Sequence, residues 1–268
     1  MWIVIGSIVF LLLLFLWCLK GRTGHPGLEA LRHWSYAHRG LHDDLRPENS
    51  MAAFRAALDA GYGIELDIHL MRDGGLGVMH DSSLKRTAGA DVRMEDLTLQ
   101  DLSGYRLGGT EETIPHFQQV LELFAGKAPL IVELKVVDGN YAALCQAACQ
   151  MLDSYQGPYC LESFDPRAIA WLRKHRPDII RGQLSENWIG KVLPVPGILK
   201  WAMTNHFTNA YTRPDFIAYK YCDRKSTGTL LCRKLWKIQG ISWTLRTPEE
   251  FETAVAEGWI PIFENFRP

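Results

Sequence analysis

The chain has 268 residues, with 29 Lys+Arg against 30 Asp+Glu and a formal net charge of −1. Roughly 250 residues is a common length for a single α/β barrel, so one domain with a large core is expected. The balanced charge excludes nucleic-acid binding through bulk phosphate neutralisation, so any anionic ligand must be captured by a local site.

The N-terminal stretch, residues 2–19, carries no charge. About 18 apolar residues just suffice to cross a bilayer as a helix. No basic residue precedes the run and no small-residue cleavage site follows it, which argues against a secretory signal. Trp2 and Trp17 bracket it as interfacial anchors do, and Lys20, Arg22 and Arg32 follow. The expectation is a single-pass transmembrane helix over residues 1–20 and a linker over 21–34. By the positive-inside rule the bulk of the chain, residues 35–268, then lies on the cytoplasmic side of the membrane. The alternatives are a buried core helix, which would normally show a polar face, or an uncleaved export signal.

After the linker, short apolar runs alternate with helical patterns. Strands are predicted over residues 35–38, 64–69, 130–135, 159–163, 179–184, 216–221, 241–245 and 259–263. Helices are predicted over 50–60, 117–124, 141–152, 166–175, 229–236 and 249–257. Asp165-Pro166 and Thr247-Pro248 each place a capping side chain before a proline at the first helical position. Cys145 and Cys149 sit four apart on one of these helices, as buried thiols would; the six cysteines contain no C-x-x-C pair and fit a reducing compartment.

Strands separated by helices imply parallel pairing, and eight such units point to a closed (β/α)8 TIM-type barrel, with an open doubly wound sheet as the structural alternative. Two intervals exceed a simple connection. Residues 81–113 read as a small insertion after the second strand. Residues 187–213, rich in proline and in Trp and other aromatics, could cover the active face.

In a (β/α)8 barrel the active site lies at the carboxyl ends of the strands. Alternation along 64–68 puts Glu65 and Asp67 on one face, with Ile64, Leu66 and Ile68 on the other. Glu133 and Lys135 share a face of the next apolar strand. Inward carboxylates are costly unless paired or bound to a cation. Three of them suit a hard divalent ion such as Mg²⁺ or Ca²⁺, although a buried Glu–Lys pair beside a structural Asp is an alternative for either strand alone. His38 and His80 can move protons near neutral pH, and Arg39 can fork onto a phosphate. Two histidines, an arginine, a lysine and three carboxylates together suit phosphoryl transfer.

The ordered set His38-Arg39-Gly40, Pro47-Glu48-Asn49-Ser50, Glu65-Leu66-Asp67, His80-Asp81 and Leu84-Lys85-Arg86-Thr87 resembles the signature of the glycerophosphodiester phosphodiesterase family. Ile114-Pro115, Glu133-Leu134-Lys135, Ser163-Phe164-Asp165-Pro166 and Trp243-Thr244 continue it toward the C-terminus. The resemblance implies hydrolysis of glycerophosphodiesters to glycerol 3-phosphate and an alcohol, with one divalent cation as cofactor. It implies Glu65, Asp67 and Glu133 as metal ligands and His38 and His80 as the general acid/base pair. Arg39 and Lys135 match the family's phosphate-contacting cations, and Glu48 its supporting carboxylate. It further implies attack by the glycerol 2-hydroxyl, giving a cyclic phosphate that water then opens. Two departures lie near the pocket. Leu245-Arg246 stands where the family has a small hydrophobic residue and Asn, and Phe263-Glu264-Asn265 where it tends to have Thr-Asp. A lysophospholipase D-type activity on acylated lipids is the second enzyme expectation, and a non-catalytic membrane-bound barrel is a third.

Overall fold

A computed structural model describes residues 2–192 and 195–268. Leu193 and Pro194, inside the predicted cover over 187–213, and Met1, at the start of the predicted anchor, lie outside the described residues.

The elements run α1 (Trp2–Cys18), α2 (Glu29–Arg32), β1 (Tyr36–His38), α3 (Met51–Asp59), β2 (Gly63–Leu70), β3 (Leu76–Val78), α4 (Lys85–Ala88), α5 (Phe117–Phe124), β4 (Leu130–Leu134) and α6 (Tyr141–Leu152). There follow β5 (Tyr159–Ser163), α7 (Pro166–His175), β6 (Arg181–Ser185), α8 (Gly197–Thr204), α9 (Asn209–Thr212), β7 (Phe216–Lys220), α10 (Thr227–Lys234), β8 (Gln239–Leu245), α11 (Pro248–Ala256) and β9 (Trp259–Phe263).

Eight strands pair in parallel in the order β1-β9-β8-β7-β6-β5-β4-β2, and β1 also pairs with β2. That last ladder, Tyr36↔Gly63 to His38↔Glu65, closes the sheet into a barrel and rules out the open doubly wound arrangement. The caps behave as their chemistry dictates. Asp165 accepts from the Arg167 amide and Thr247 from the Glu250 amide, each satisfying an otherwise orphaned N–H.

Strand alternation sorts the core into two shells. Outward residues such as Ile64, Leu66, Ile68, Val132 and Leu161 pack under the helices, together with Cys145 and Cys149 of α6. Inward residues grade from apolar to charged along the barrel axis. Tyr36, Ile131, Cys160, Phe216 and Ile260 fill the floor, and Glu65, Asp67, Glu133 and Glu162 are buried above them. Residues 21–34 add to this floor: Leu28 and Leu31 pack among its side chains, and the Tyr36 hydroxyl donates to the Leu31 carbonyl at 2.9 Å.

The insertion begins with β3, which pairs antiparallel to β2. Met71, Met79, Leu84, Met94, Leu97 and Leu102 give it a small core of its own. The interval 187–213 forms α8 and α9, two helices that periodicity did not predict.

The transmembrane expectation needs correction. Helix α1 has 17 residues, about 25 Å at 1.5 Å per residue against a hydrocarbon core of about 30 Å. Among the described residues no helix is long and apolar enough to cross a membrane. The helix stops where the barrel captures its last turn. Leu19 is fully buried with Ile217, Cys232 and Ile238. The Trp236 indole donates to the Leu16 carbonyl at 2.8 Å, and Arg213 donates to the Trp17 and Lys20 carbonyls at 2.9 and 2.6 Å. These bonds satisfy carbonyls that a continuing helix would have used. Arg22 then forks onto Asp215 at 2.5 and 2.6 Å.

Candidate active site

The first strand ends in a turn that only certain residues allow. Arg39 and Gly40 both have positive φ, 54° and 82°. At Gly40 a Cβ would come within 2.8 Å of the Ala53 backbone, so the turn needs glycine for space as well as conformation. It aims His38 and Arg39 across the top of the barrel. The Arg39 amide donates to Glu65, and its guanidinium reaches Glu48 at 2.9 Å and Asp67 at 3.4 Å.

Glu65, Asp67 and Glu133 come together. One oxygen from each lies within 4.8 Å of the others, and all three are buried. The Lys135 ammonium sits between two of them, 2.9 Å from Asp67 and 2.8 Å from Glu133. Burial pushes Glu65 well above the ordinary carboxylate range, and the charges of Asp67 and Glu133 add to it. Burial likewise raises Glu133 to about 7, with Lys135 opposing and Asp67 adding. For Asp67, burial acts upward but is outweighed by Lys135 and Arg39, which hold it well below the usual range. Three crowded oxygen donors that resist sharing their negative charge fit a hard divalent cation, and these are the residues that would hold it.

Both predicted histidines line the same small cavity as Arg39, Glu65 and Glu133. Each is held at Nδ1 by a carboxylate: His38 by Glu264 at 2.5 Å and His80 by Asp81 at 2.6 Å. Burial lowers both imidazoles' pKa, His38 against the bond to Glu264 and His80 against the charge of Asp67. A carboxylate on Nδ1 fixes the proton there and leaves Nε2 for exchange.

Glu48 is placed differently from the carboxylate triad. Both its oxygens are taken by guanidinium groups, Arg39 on one side and Arg86 at 2.7 and 2.9 Å on the other. It braces the arginines rather than offering a free ligand oxygen.

Four residues join the site that sequence reasoning did not assign to it. Asn49, at φ 55°, donates its amide to Asp67 at 2.9 Å. His69 continues the inward row of Glu65 and Asp67; it touches Glu95 at 2.7 Å and the His80 carbonyl at 3.2 Å, tying the insertion to the barrel behind His80. Glu162 stands beside Glu133 in register, only 1% exposed, with one oxygen lacking a partner among the described residues. Burial raises its pKa well above the ordinary value, with Glu133 adding. Glu264 is the fourth, and it unites the two departures noted above: Arg246 bonds it at 2.6 Å. Burial would raise Glu264, but the bonds from His38 and His42 and the charge of Arg246 outweigh it and keep it ionised. His69 and Glu162 lie on the inward alternation of their strands, a signal that could have found them; the Arg246–Glu264 pair joins the ends of adjacent strands and needs the barrel to be seen.

A second, larger cavity of about 890 Å³ opens from this centre. His80, Glu133 and Lys135 form its polar end, and Val136, Phe164, Val195, Leu199 and Met203 its apolar wall.

Fold and site define a (β/α)8 barrel with an acidic, cation-competent centre flanked by two carboxylate-held histidines. Residues 38–196 match the Glycerophosphoryl diester phosphodiesterase family, and the chain belongs to that family. A glycerophosphodiester phosphodiesterase of Bacillus altitudinis is 31% identical over 156 residues, 54% of this chain and 63% of that protein. The chain thus spans under two thirds of the length of this relative. The lysophospholipase D GDPD1 of Rattus norvegicus is 32% identical over 122 residues, 41% of this chain and 38% of that one. Among solved structures, an Oleispira antarctica phosphodiesterase in complex with the product sn-glycerol-3-phosphate superposes with TM-score 0.74 at 20% identity, covering 91% of this chain and 95% of that one. At that identity the likeness speaks for the fold.

Proposed function

We propose that the chain hydrolyses glycerophosphodiesters to glycerol 3-phosphate and an alcohol, with a divalent cation held by Glu65, Asp67 and Glu133. The observation that carries this is the convergence of His38, His80, Arg39 and the carboxylates Glu65 and Glu133 on one cavity. When bound, the cation supplies Lewis-acid stabilisation of phosphate charge. The chain's own residues do the rest. Arg39, braced by Glu48, and Lys135 present positive charge to the phosphodiester oxygens. One imidazole takes the proton of the attacking oxygen at Nε2, and the other gives a proton to the leaving alcohol. Glu264 and Asp81 hold the two rings in place for these transfers. Phosphorus-31 NMR of glycerophosphocholine turnover tests it. Glycerol 3-phosphate should accumulate with Mg²⁺ or Ca²⁺ and cease with chelator; no cation-dependent product from any glycerophosphodiester would refute it.

The apolar wall of the larger cavity favours a second substrate class, lysophospholipids that keep an acyl chain. Turnover of lysophosphatidylcholine beside glycerophosphocholine separates the two, and inactivity on the lysolipid removes this reading.

Helix α1 bears on where such substrates are met. Its large apolar residues from Trp2 to Leu14, and Trp17, are exposed, and it has no charged residue. A helix apolar all round is unstable in water. We read it as seated in lipid, holding the barrel at a membrane, with the anionic cytoplasmic leaflet favoured by the basic residues that follow it.

A further inference from the structure

The excursion between β6 and β7 presents a second apolar surface. Ile189, Val192, Ile198, Leu199 and Trp201 are all exposed there, Ile198 at 69% and Trp201 at 41%. On α8, Ile198 and Trp201 are three apart and share one face, whereas Leu199 and Met203, four apart, line the larger cavity. The helix is therefore a partition: one face looks into the cavity that opens on the catalytic centre, the other out of the protein.

This outer face is continuous with α1. Phe15 of α1 packs on Phe207 with ring centroids 5.2 Å apart, and Phe207 packs on Trp201 at 4.9 Å. The buried Leu19 and the Arg213 and Trp236 bonds lock the base of α1 to the same side of the barrel. The two apolar surfaces are hence joined by direct packing.

Charge sets the occupant. The chain has 30 acidic residues, yet none lies in residues 1–28 or 187–213, the two segments that build this surface. Lys20 and Arg22 lie in the first; Lys191, Lys200 and Arg213 lie in the second. Arg22 is paired with Asp215 and Lys191 with Glu186, and among the described residues Lys20, Lys200 and Arg213 have no carboxylate partner. An apolar, Trp-bearing face whose unpaired charges are basic matches an anionic phospholipid surface, in which aromatic rings sit at headgroup level and lysines meet the phosphates.

We propose that the outer face of α8, around Ile198 and Trp201, docks into an anionic phospholipid surface beside α1, so that the cavity bounded by Leu199 and Met203 opens at the lipid. This rests on the reading of α1 as seated in lipid. It makes α8 the wall past which a lipid-borne substrate reaches Lys135 and His80.

The test uses the full chain reconstituted in phosphatidylcholine–phosphatidylglycerol vesicles, with Cys18→Ser and Cys222→Ser to leave a single reactive thiol. An environment-sensitive fluorophore is attached in turn through Phe10→Cys on α1, Ile198→Cys on α8 and Asp59→Cys across the barrel. Quenching by lipids with spin-labelled acyl chains is then read at each site. Strong quenching at positions 10 and 198, several-fold above position 59, is the expected result. Quenching at 10 but only the position-59 level at 198 overturns the docking of α8 and leaves the α1 reading standing. Baseline quenching at both overturns both. Val192→Cys, on the same surface and fully exposed, repeats the measurement should the position-198 variant misfold.

Discussion

Adding a divalent cation should stabilise this chain, and more so as pH rises. The origin is the crowding of Glu65, Asp67 and Glu133, whose oxygens lie within 4.8 Å of each other. Burial, helped by Asp67 and opposed by Lys135, raises Glu133 from its ordinary 4.5 to about 7, and Glu65 is raised as well. A carboxyl with a higher pKa folded than unfolded holds its extra proton in the folded chain. Its favourable contribution is complete below the unfolded value and is lost as pH climbs through about 7. The cation-free protein should therefore weaken from about pH 4.5 until Glu133 has titrated at about 7, and its ligand oxygen becomes available over the upper end of that range, between about pH 6 and pH 8. Binding then restores stability and releases protons. At a cation concentration about 100 times Kd the gain is about 2.7 kcal/mol. At roughly 2–4 °C per kcal/mol for a chain of this size, Tm should rise by about 5–10 °C. Thermal unfolding with Ca²⁺ or Mg²⁺ against excess chelator, at both pH values, measures it. The shift should be larger at the higher pH and fall sharply in Glu133→Gln. Identical melting with cation and chelator at the higher pH would refute the assignment of the triad.

Other expectations follow from single contacts. Glu264→Gln should lower kcat by roughly 10- to 100-fold with KM little changed, because it loosens the His38 ring rather than the substrate; steady-state kinetics on glycerophosphocholine decide, and unchanged kcat would remove Glu264 from the machinery. His38→Asn and His80→Asn should each cost at least about 100-fold in kcat while leaving Tm in place. Lys135→Met leaves Asp67 and Glu133 without their shared cation and should destabilise the chelator-treated protein by about 3–5 kcal/mol, a loss that added divalent cation partly reverses in thermal melts. Leu19→Ala empties a fully buried position between α1 and the barrel and should cost about 2–5 kcal/mol in denaturant unfolding.

Much of the barrel is legible because its period is short. Alternation along 64–68 and 131–135 exposes both the outward apolar set and the inward Glu65, Asp67, Glu133 and Lys135, and the eight predicted strands match β1, β2 and β4 through β9. The same alternation passes through His69 and Glu162, but a lone inward polar residue on an apolar strand does not declare its partners. Glu264 and Arg246 were visible only as departures from a family pattern. Their pairing at 2.6 Å depends on the β8–β9 register, including an irregularity between Ser242 and Leu245. Helices α8 and α9 escaped because Pro196, Gly197 and the crowded aromatics break any helical period. The end of α1 escaped for another reason. Apolarity continues through Leu19, and the tertiary bonds from Arg213 and Trp236 meet the helix end at Cys18, ahead of the linker that begins at Gly21.

The central claim is that His38 and His80 work on a phosphodiester held at a cation-loaded carboxylate triad. Its most direct test is phosphorus-31 NMR of the full chain with glycerophosphocholine and Ca²⁺ or Mg²⁺, run beside Glu65→Gln and His80→Asn. Glycerol 3-phosphate should appear with the unaltered chain, stop on chelation and be nearly absent with either variant. Undiminished product in the presence of chelator, or from His80→Asn, would contradict the account.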